Sequence, residues 1–132
     1  MTELSEITSE IKLKHSRIAL RNDGIVELHT SNNHEYEIQD VKENVAAIGQ
    51  LSGGKKVQVL IVGGAFTSVS KEARVFMASE ESLQYSLCEA FLLNSLPQRM
   101  LINFYIRVNK PLVPTRAFSS KSEALDWLKR FL

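Results

Sequence analysis

The sequence predicts an α/β fold: a mixed, largely parallel sheet of about five strands with four helices and a β-hairpin at the N-terminal edge. Three observations carry that expectation. Val57-Gln-Val-Leu-Ile-Val62 is a continuous, β-branched apolar run, the pattern of a strand covered on both faces. Segments of this kind alternate with segments whose apolar residues recur at helical spacing, which implies βαβ units. The last third of the chain, from Phe91 to Leu128, reads as one strand, helix, strand, helix block.

Taken in order, Ile11 to Arg21 and Gly24 to Thr30 are β-prone and are joined by Asn22-Asp23-Gly24, a strong hairpin signal. Residues 1–10 are expected to be a flexible segment ahead of a single domain over 11–132. Beyond the polar Ser31-Asn32-Asn33-His34, Val41, Val45, Ile48 and Leu51 recur at helical spacing behind Asp40, the expected N-cap. Gly53-Gly54 ends that helix, because glycine enters the left-handed region without steric cost. After Val62, Gly63-Gly64 leads through Ala65 to Val69 into a short helix starting near Ser70, with Ala73, Phe76 and Met77 on one face. Leu87 to Leu93 is the next strand, bounded by Asn94-Ser95. Ser95 is the expected N-cap of a helix with Pro97 in its first turn, where the missing N–H has no partner to lose. Leu101, Phe104, Tyr105 and Val108 form its expected inner face, and Pro111 stops it. Arg116-Ala-Phe118 is a short strand, and Ser120-Lys-Ser-Glu123 has capping-box spacing ahead of Ala124, Leu125, Trp127, Leu128 and Phe131.

A chain of 132 residues is about one domain, large enough to bury roughly two-thirds of its unfolded surface. Its 44% hydrophobic and 23% charged residues are those of a globular protein. The net charge is +1 and Lys and Arg are dispersed, so nucleic acid is not an expected partner. Cys88, the single cysteine, lies among apolar residues and reads as a buried, inert thiol. The first ten residues are acidic and lack the apolar core of a secretory signal, and the longest apolar run is about half of the ~20 residues that span a bilayer. A cytoplasmic location is expected.

Chemistry is not visible in the pattern. Gly63-Gly64-Ala65-Phe66-Thr67-Ser68 has neither dinucleotide-loop nor P-loop spacing. His15, His29 and His34 fall in or beside the hairpin with Glu27, Glu35 and Glu37 nearby, and His15 and His29 are placed to face each other across it. Two histidines and an acid on an edge hairpin read as solvated surface rather than as a metal site. Arg74 and Arg99 stand near helix starts at the carboxyl side of the sheet, a place suited to a small anion, with bridges to Glu72 or Glu81 as their plainer role. The expectation is a non-enzymatic protein with no catalytic residue, metal or cofactor.

The element order resembles the STAS-like, SpoIIAA-like fold of anti-sigma factor antagonists. Val69-Ser-Lys-Glu-Ala-Arg74, Asn94-Ser-Leu-Pro-Gln-Arg99, Asn103-Phe-Tyr105, Asn109-Lys-Pro111, Val113-Pro-Thr115 and Glu123-Ala-Leu-Asp-Trp-Leu128 are similar to a bacterial group of small uncharacterised SpoIIAA-like proteins. The resemblance implies a regulatory domain that binds a protein partner, a regulator or a kinase. Such domains carry a phosphorylated serine at the start of the helix after the central strand. The matching position is Ser70, with Ser68 close by, although Val69-Ser70-Lys71 replaces the usual acidic neighbour. Thr67, Val69, Lys71 and Arg74 would then form the docking surface. A homodimer is expected from the open edge of a parallel sheet. Asn94 to Pro111 also resembles a passage of CRAL-TRIO lipid-transfer domains, which implies an alternative: a small apolar-ligand or lipid-binding domain with Leu101, Phe104, Tyr105 and Val108 lining the cavity.

Overall fold

A computed structural model describes residues 6–131. Along the chain these form β1 (Ile7–Lys12), β2 (Ser16–Arg21), β3 (Val26–Thr30), β4 (Glu35–Tyr36), α1 (Ile38–Ser52), β5 (Val57–Val62), β6 (Ser68–Val69), α2 (Lys71–Met77), β7 (Ser86–Leu92), α3 (Leu96–Asn109), β8 (Thr115–Phe118) and α4 (Lys121–Leu128). The main sheet has six strands in the order β1-β2-β3-β5-β7-β8. The first three pair antiparallel, and β3, β5, β7 and β8 pair in parallel through helical crossovers. β4 and β6 make a separate parallel ladder of two residues each.

The apolar run at β5 is covered on both faces, as its composition requires. Val59 packs with Ile18, Val26, Leu28, Ala47 and Ile48 beneath α1, while Leu60 packs with Ile25, Cys88, Ala90, Ala124 and Leu128 beneath α4. Val59 and Leu60 are fully buried, and a side chain of that size contributes ~1.5–3 kcal/mol by leaving water. A third cluster joins Phe91 and Leu93 to Ile102 and Tyr105 of α3. Cys88, in the cluster beneath α4, is a buried thiol; burial, with the nearby Glu89 carboxylate, pushes it up to about 12.

The antiparallel part of the sheet carries a buried ion network instead. Arg21 donates from Nη1 to Glu27 Oε2 at 2.8 Å and from Nη2 to Asp23 Oδ2 at 3.1 Å, and His29 Nε2 lies 2.8 Å from Glu27 Oε1. Burial pushes the Glu27 carboxyl up, but the hydrogen bonds from His29 and Arg21 outweigh it and hold the group at about 2.

The serines that precede α2, α3 and α4 all cap them. The Oγ atoms of Ser70, Ser95 and Ser120 accept the backbone N–H of Ala73 at 3.1 Å, Gln98 at 3.2 Å and Glu123 at 3.4 Å. Gly53 closes α1 at φ 67°.

Four details differ from expectation. Ile11 to Arg21 is not one strand: a turn at 13–15, closed by Leu13 N–H on Ser16 O at 2.8 Å, divides it. The outer piece, β1, begins at Ile7, so residues 7–10 belong to the sheet; residues 1–5 of the N-terminal segment lie outside the described residues. The N-cap of α1 is Glu37 rather than Asp40, which instead closes a capping box by accepting Glu37 N–H at 2.9 Å. Finally, α3 turns Ile102 and Tyr105 inward and leaves Phe104 and Val108 exposed. Apolar residues stand nearly all round this helix, so periodicity alone did not select the buried stripe.

Candidate functional site

The loop after β5 is held as a rigid protrusion at the carboxyl ends of the parallel strands, where open α/β sheets present their sites. Gly64 N–H donates to Thr30 Oγ1 at 2.7 Å and Ala65 N–H to Asn32 Oδ1 at 2.8 Å. Gln98 Nε2 of α3 donates to Gly64 O at 2.9 Å and to Thr67 O at 3.2 Å. A Cβ on Gly64 would lie 2.7 Å from Thr30 O, Ser31 O and Asn32 Oδ1, so the loop reaches this position only because the residue is glycine.

That scaffold projects Phe66 into solvent. Its backbone is left-handed, at φ 57°, and its side chain is 83% exposed. Beside it, a cleft of about 530 Å³ runs between the loop and the start of α3, lined by Phe66, Ser68, Pro97 and Leu101. The outer side of α3 continues the apolar surface, with Leu96, Met100, Phe104 and Val108 at four-residue steps and 41–62% exposed. Arg107 stands over the Phe104 ring, 6.0 Å from its centroid.

The structure distributes the expected docking residues differently. Ser70 caps α2 and Ser68 sits in β6, donating its N–H to His34 O at 3.1 Å. Thr67 Oγ1 donates to Ser31 O, and both Thr67 and Val69 line a small cavity of about 80 Å³ under α1. Arg74 donates from Nη1 to Val69 O at 2.6 Å and Arg99 from Nη1 to Leu93 O at 2.9 Å; neither bridges to Glu72 or Glu81. Lys71 alone among the four docking candidates is exposed; Thr67, Val69 and Arg74 are half-buried.

The four residues expected to line one apolar cavity do not converge. Leu101 lines the cleft, Tyr105 is entirely in the core, and Phe104 and Val108 face solvent. Sequence reasoning missed Phe66, the most exposed aromatic; its one signal was a large apolar residue between a glycine pair and a serine-threonine stretch. His29 pairs across the hairpin with Arg17, not with His15. His15 instead stacks on His34, with ring centroids 3.7 Å apart and planes 7° from parallel.

The inner face holds a second notable group, Glu89, 7% exposed and accepting Ser86 Oγ at 3.0 Å. Burial pushes its carboxyl up to about 7 against the hydrogen bond from Ser86, which pulls the other way. The nearby Tyr105 hydroxyl has no hydrogen-bond partner among the described residues.

A six-stranded mixed sheet with α1 and α3 on one face and α4 on the other is a SpoIIAA-like α/β domain. An uncharacterized protein of Shewanella loihica PV-4, from the DUF3478 family and with a SpoIIAA-like fold, matches it with a TM-score of 0.56 and 13% identity over 97% of this chain and 98% of that one. The chain itself belongs to the family described as a domain of unknown function, DUF7793, whose model matches residues 18–132. A protein of unknown function from Arthrobacter sp. FB24 is 22% identical over 92% of this chain and 98% of that one, with a TM-score of 0.30. No curated protein matches the chain. Among the described residues, no helix is long and apolar enough to cross a membrane.

Proposed function

We propose that the protein is a non-enzymatic, regulatory interaction domain that docks an apolar segment with acidic flanks, carried by a partner protein, on Phe66 and the outer ridge of α3. One observation carries this reading: five large apolar side chains, Phe66, Leu96, Met100, Phe104 and Val108, stand exposed along one rigid surface. Solvent-facing apolar groups of this size mark interaction sites when they cluster. The ridge from Leu96 to Val108 is ~18 Å long at 1.5 Å per residue, a length that suits three turns of a partner helix packed ridge into groove.

Charge supplies the partner's chemistry. From Ala90 to Ser122 the chain has no Asp or Glu, while Arg99, Arg107, Lys110, Arg116 and Lys121 are all cationic. Of these, Arg99, Arg107 and Lys110 belong to α3 and its end, while Arg116 and Lys121 lie on the α4 side, so an acidic rim on the partner complements the α3 cations and steers its approach. Phosphorylation at Ser70 belongs to the same reading. A phosphate there would add nearly two negative charges beside Lys71, two residues beyond Ser68 of the cleft wall, and would repel an acidic partner. Self-association at the free β1 or β8 edge is compatible with this surface. A dimer by light scattering supports it, and a monomer removes it.

The test is comparative capture from the host. A protein recovered by the wild-type chain, lost with Phe66→Ser plus Met100→Ser and kept with Lys55→Ser supports the surface. Equal recovery by all three chains rejects it. The apolar-ligand alternative rests on the cleft beside Leu101, and native mass spectrometry without co-purifying lipid removes it.

A further inference from the structure

We infer that His15, His34 and Asp40 form a binding site for a borderline divalent transition-metal ion, with Zn²⁺ as its probe. The three residues come from separate places: the turn between β1 and β2, the loop before β4, and the first turn of α1. Folding brings one donor atom of each within 4.8 Å of the others. Two imidazoles and one carboxylate are the donor set that borderline ions prefer, and three protein ligands leave a coordination position open.

The donors are pre-positioned by bonds that do not involve a metal. The backbone carbonyl of His15 accepts from Ser31 N–H at 3.0 Å, from Ser31 Oγ at 2.6 Å and from the Tyr36 hydroxyl, which ties the turn to the 31–36 segment. Asp40 Oδ2 accepts Glu37 N–H at 2.9 Å and lies 3.0 Å from His34 Nε2. The Tyr36 ring meets His34 edge-on, at 4.8 Å between centroids. His15, in contrast, makes no ring-nitrogen hydrogen bond among the described residues, and its imidazole is held only by the stack on His34.

A solvated surface pair would not explain this arrangement. Two imidazoles and a carboxylate meet here with one ring-nitrogen hydrogen bond among them, His34 Nε2 to Asp40 Oδ2 at 3.0 Å, and a cation would take the place of that proton while recruiting His15. Tetrahedral coordination at ~2.0–2.1 Å asks for donors ~3.3 Å apart, so donors now within 4.8 Å must close by up to ~1.5 Å, and one imidazole must turn out of the parallel stack because ring-nitrogen lone pairs lie in the ring planes. The site is also coupled to the docking loop, because His34 O accepts Ser68 N–H at 3.1 Å and Tyr36 O accepts Ser70 N–H at 3.0 Å. A bound ion would stiffen the β4–β6 ladder that carries that loop.

The experiment is calorimetric titration of Zn²⁺ into tag-free full-length protein, with Co²⁺ absorption as a second readout of ligand geometry. One ion per chain is expected, with affinity reduced about tenfold or more in His15→Ala and in His34→Ala. Asp40→Asn keeps an oxygen for the Glu37 N–H but loses charge, and is expected to weaken binding without unfolding the chain. His29→Ala, outside the cluster, is expected to bind as the wild type does. The His15 side chain makes no hydrogen bond among the described residues and its one aromatic contact is the stack on His34, so His15→Ala is expected to fold and to give a clean answer even where His34→Ala does not. No saturable binding by the wild type, or equal binding by wild type and His15→Ala, overturns the inference.

Discussion

Replacing Glu89 by Gln is expected to make the protein more stable above neutral pH and to leave it unchanged in acid. The carboxyl sits on β7 under the α1 and α3 layer, 7% exposed, with Ser86 Oγ as its hydrogen-bond donor. Burial raises it from 4.5 to about 7 in the folded chain. Below 4.5 the group is protonated in both states and costs nothing. Between 4.5 and about 7 only the unfolded chain ionises, so the folded state loses stability as pH rises through that window. At ~1.4 kcal/mol per tenfold, the full loss is about 3 kcal/mol once pH exceeds the folded value. Glutamine keeps an oxygen for Ser86 and has no charge to bury. Urea unfolding of both chains at acidic and at mildly alkaline pH subtracts every other titrating group. The difference between the chains should grow by about 3 kcal/mol in favour of Glu89→Gln on going to alkaline pH. Parallel pH profiles would refute the assignment of a neutral, buried Glu89.

Changes at three other positions test separate parts of the structure. Ser70→Ala removes the α2 cap and should cost ~1 kcal/mol in urea unfolding, whereas Ser70→Asp keeps an acceptor and should stay within a few tenths. Gly64→Ala drives a Cβ to 2.7 Å from three oxygens, two of them backbone, and should destabilise by ~1–3 kcal/mol with altered amide shifts confined to the 30–34 and 63–68 segments. Arg21→Met leaves Glu27 buried without its guanidinium and should cost roughly 3–5 kcal/mol at neutral pH. Glu27 stands at about 2 when folded and 4.5 when free, so its stabilisation is complete above 4.5 and disappears as pH falls toward 2. The Arg21→Met deficit should therefore shrink in acid.

Much of the fold was legible because local chemistry and tertiary structure agree. Ser70, Ser95 and Ser120 each precede a helix and each caps it, and the Val57–Val62 run is buried on both sides. The failures have physical causes. β1 is an edge strand with Thr8, Ser9 and Glu10 exposed, so it lacks the alternation that reveals a half-buried strand. Glu37 and Asp40 are both acids at the start of α1, and spacing does not say which of them caps and which answers it. Leu101, Ile102, Phe104, Tyr105, Ile106 and Val108 surround α3, so the side that faces the sheet was decided by packing against Phe91 and Leu93. The functional surface was less legible still. Nothing local distinguishes an exposed Phe66 from a buried one, and the meeting of His15 with His34 exists only through the bonds linking the β1–β2 turn to Ser31 and Tyr36.

The docking surface is tested most directly by placing a photoreactive phenylalanine analogue at position 66 and irradiating living host cells. One discrete adduct with a second protein is expected, absent when the same group replaces Lys55 and weakened when Met100→Ser accompanies it. No adduct at position 66, or the same adducts at positions 55 and 66, would contradict the account.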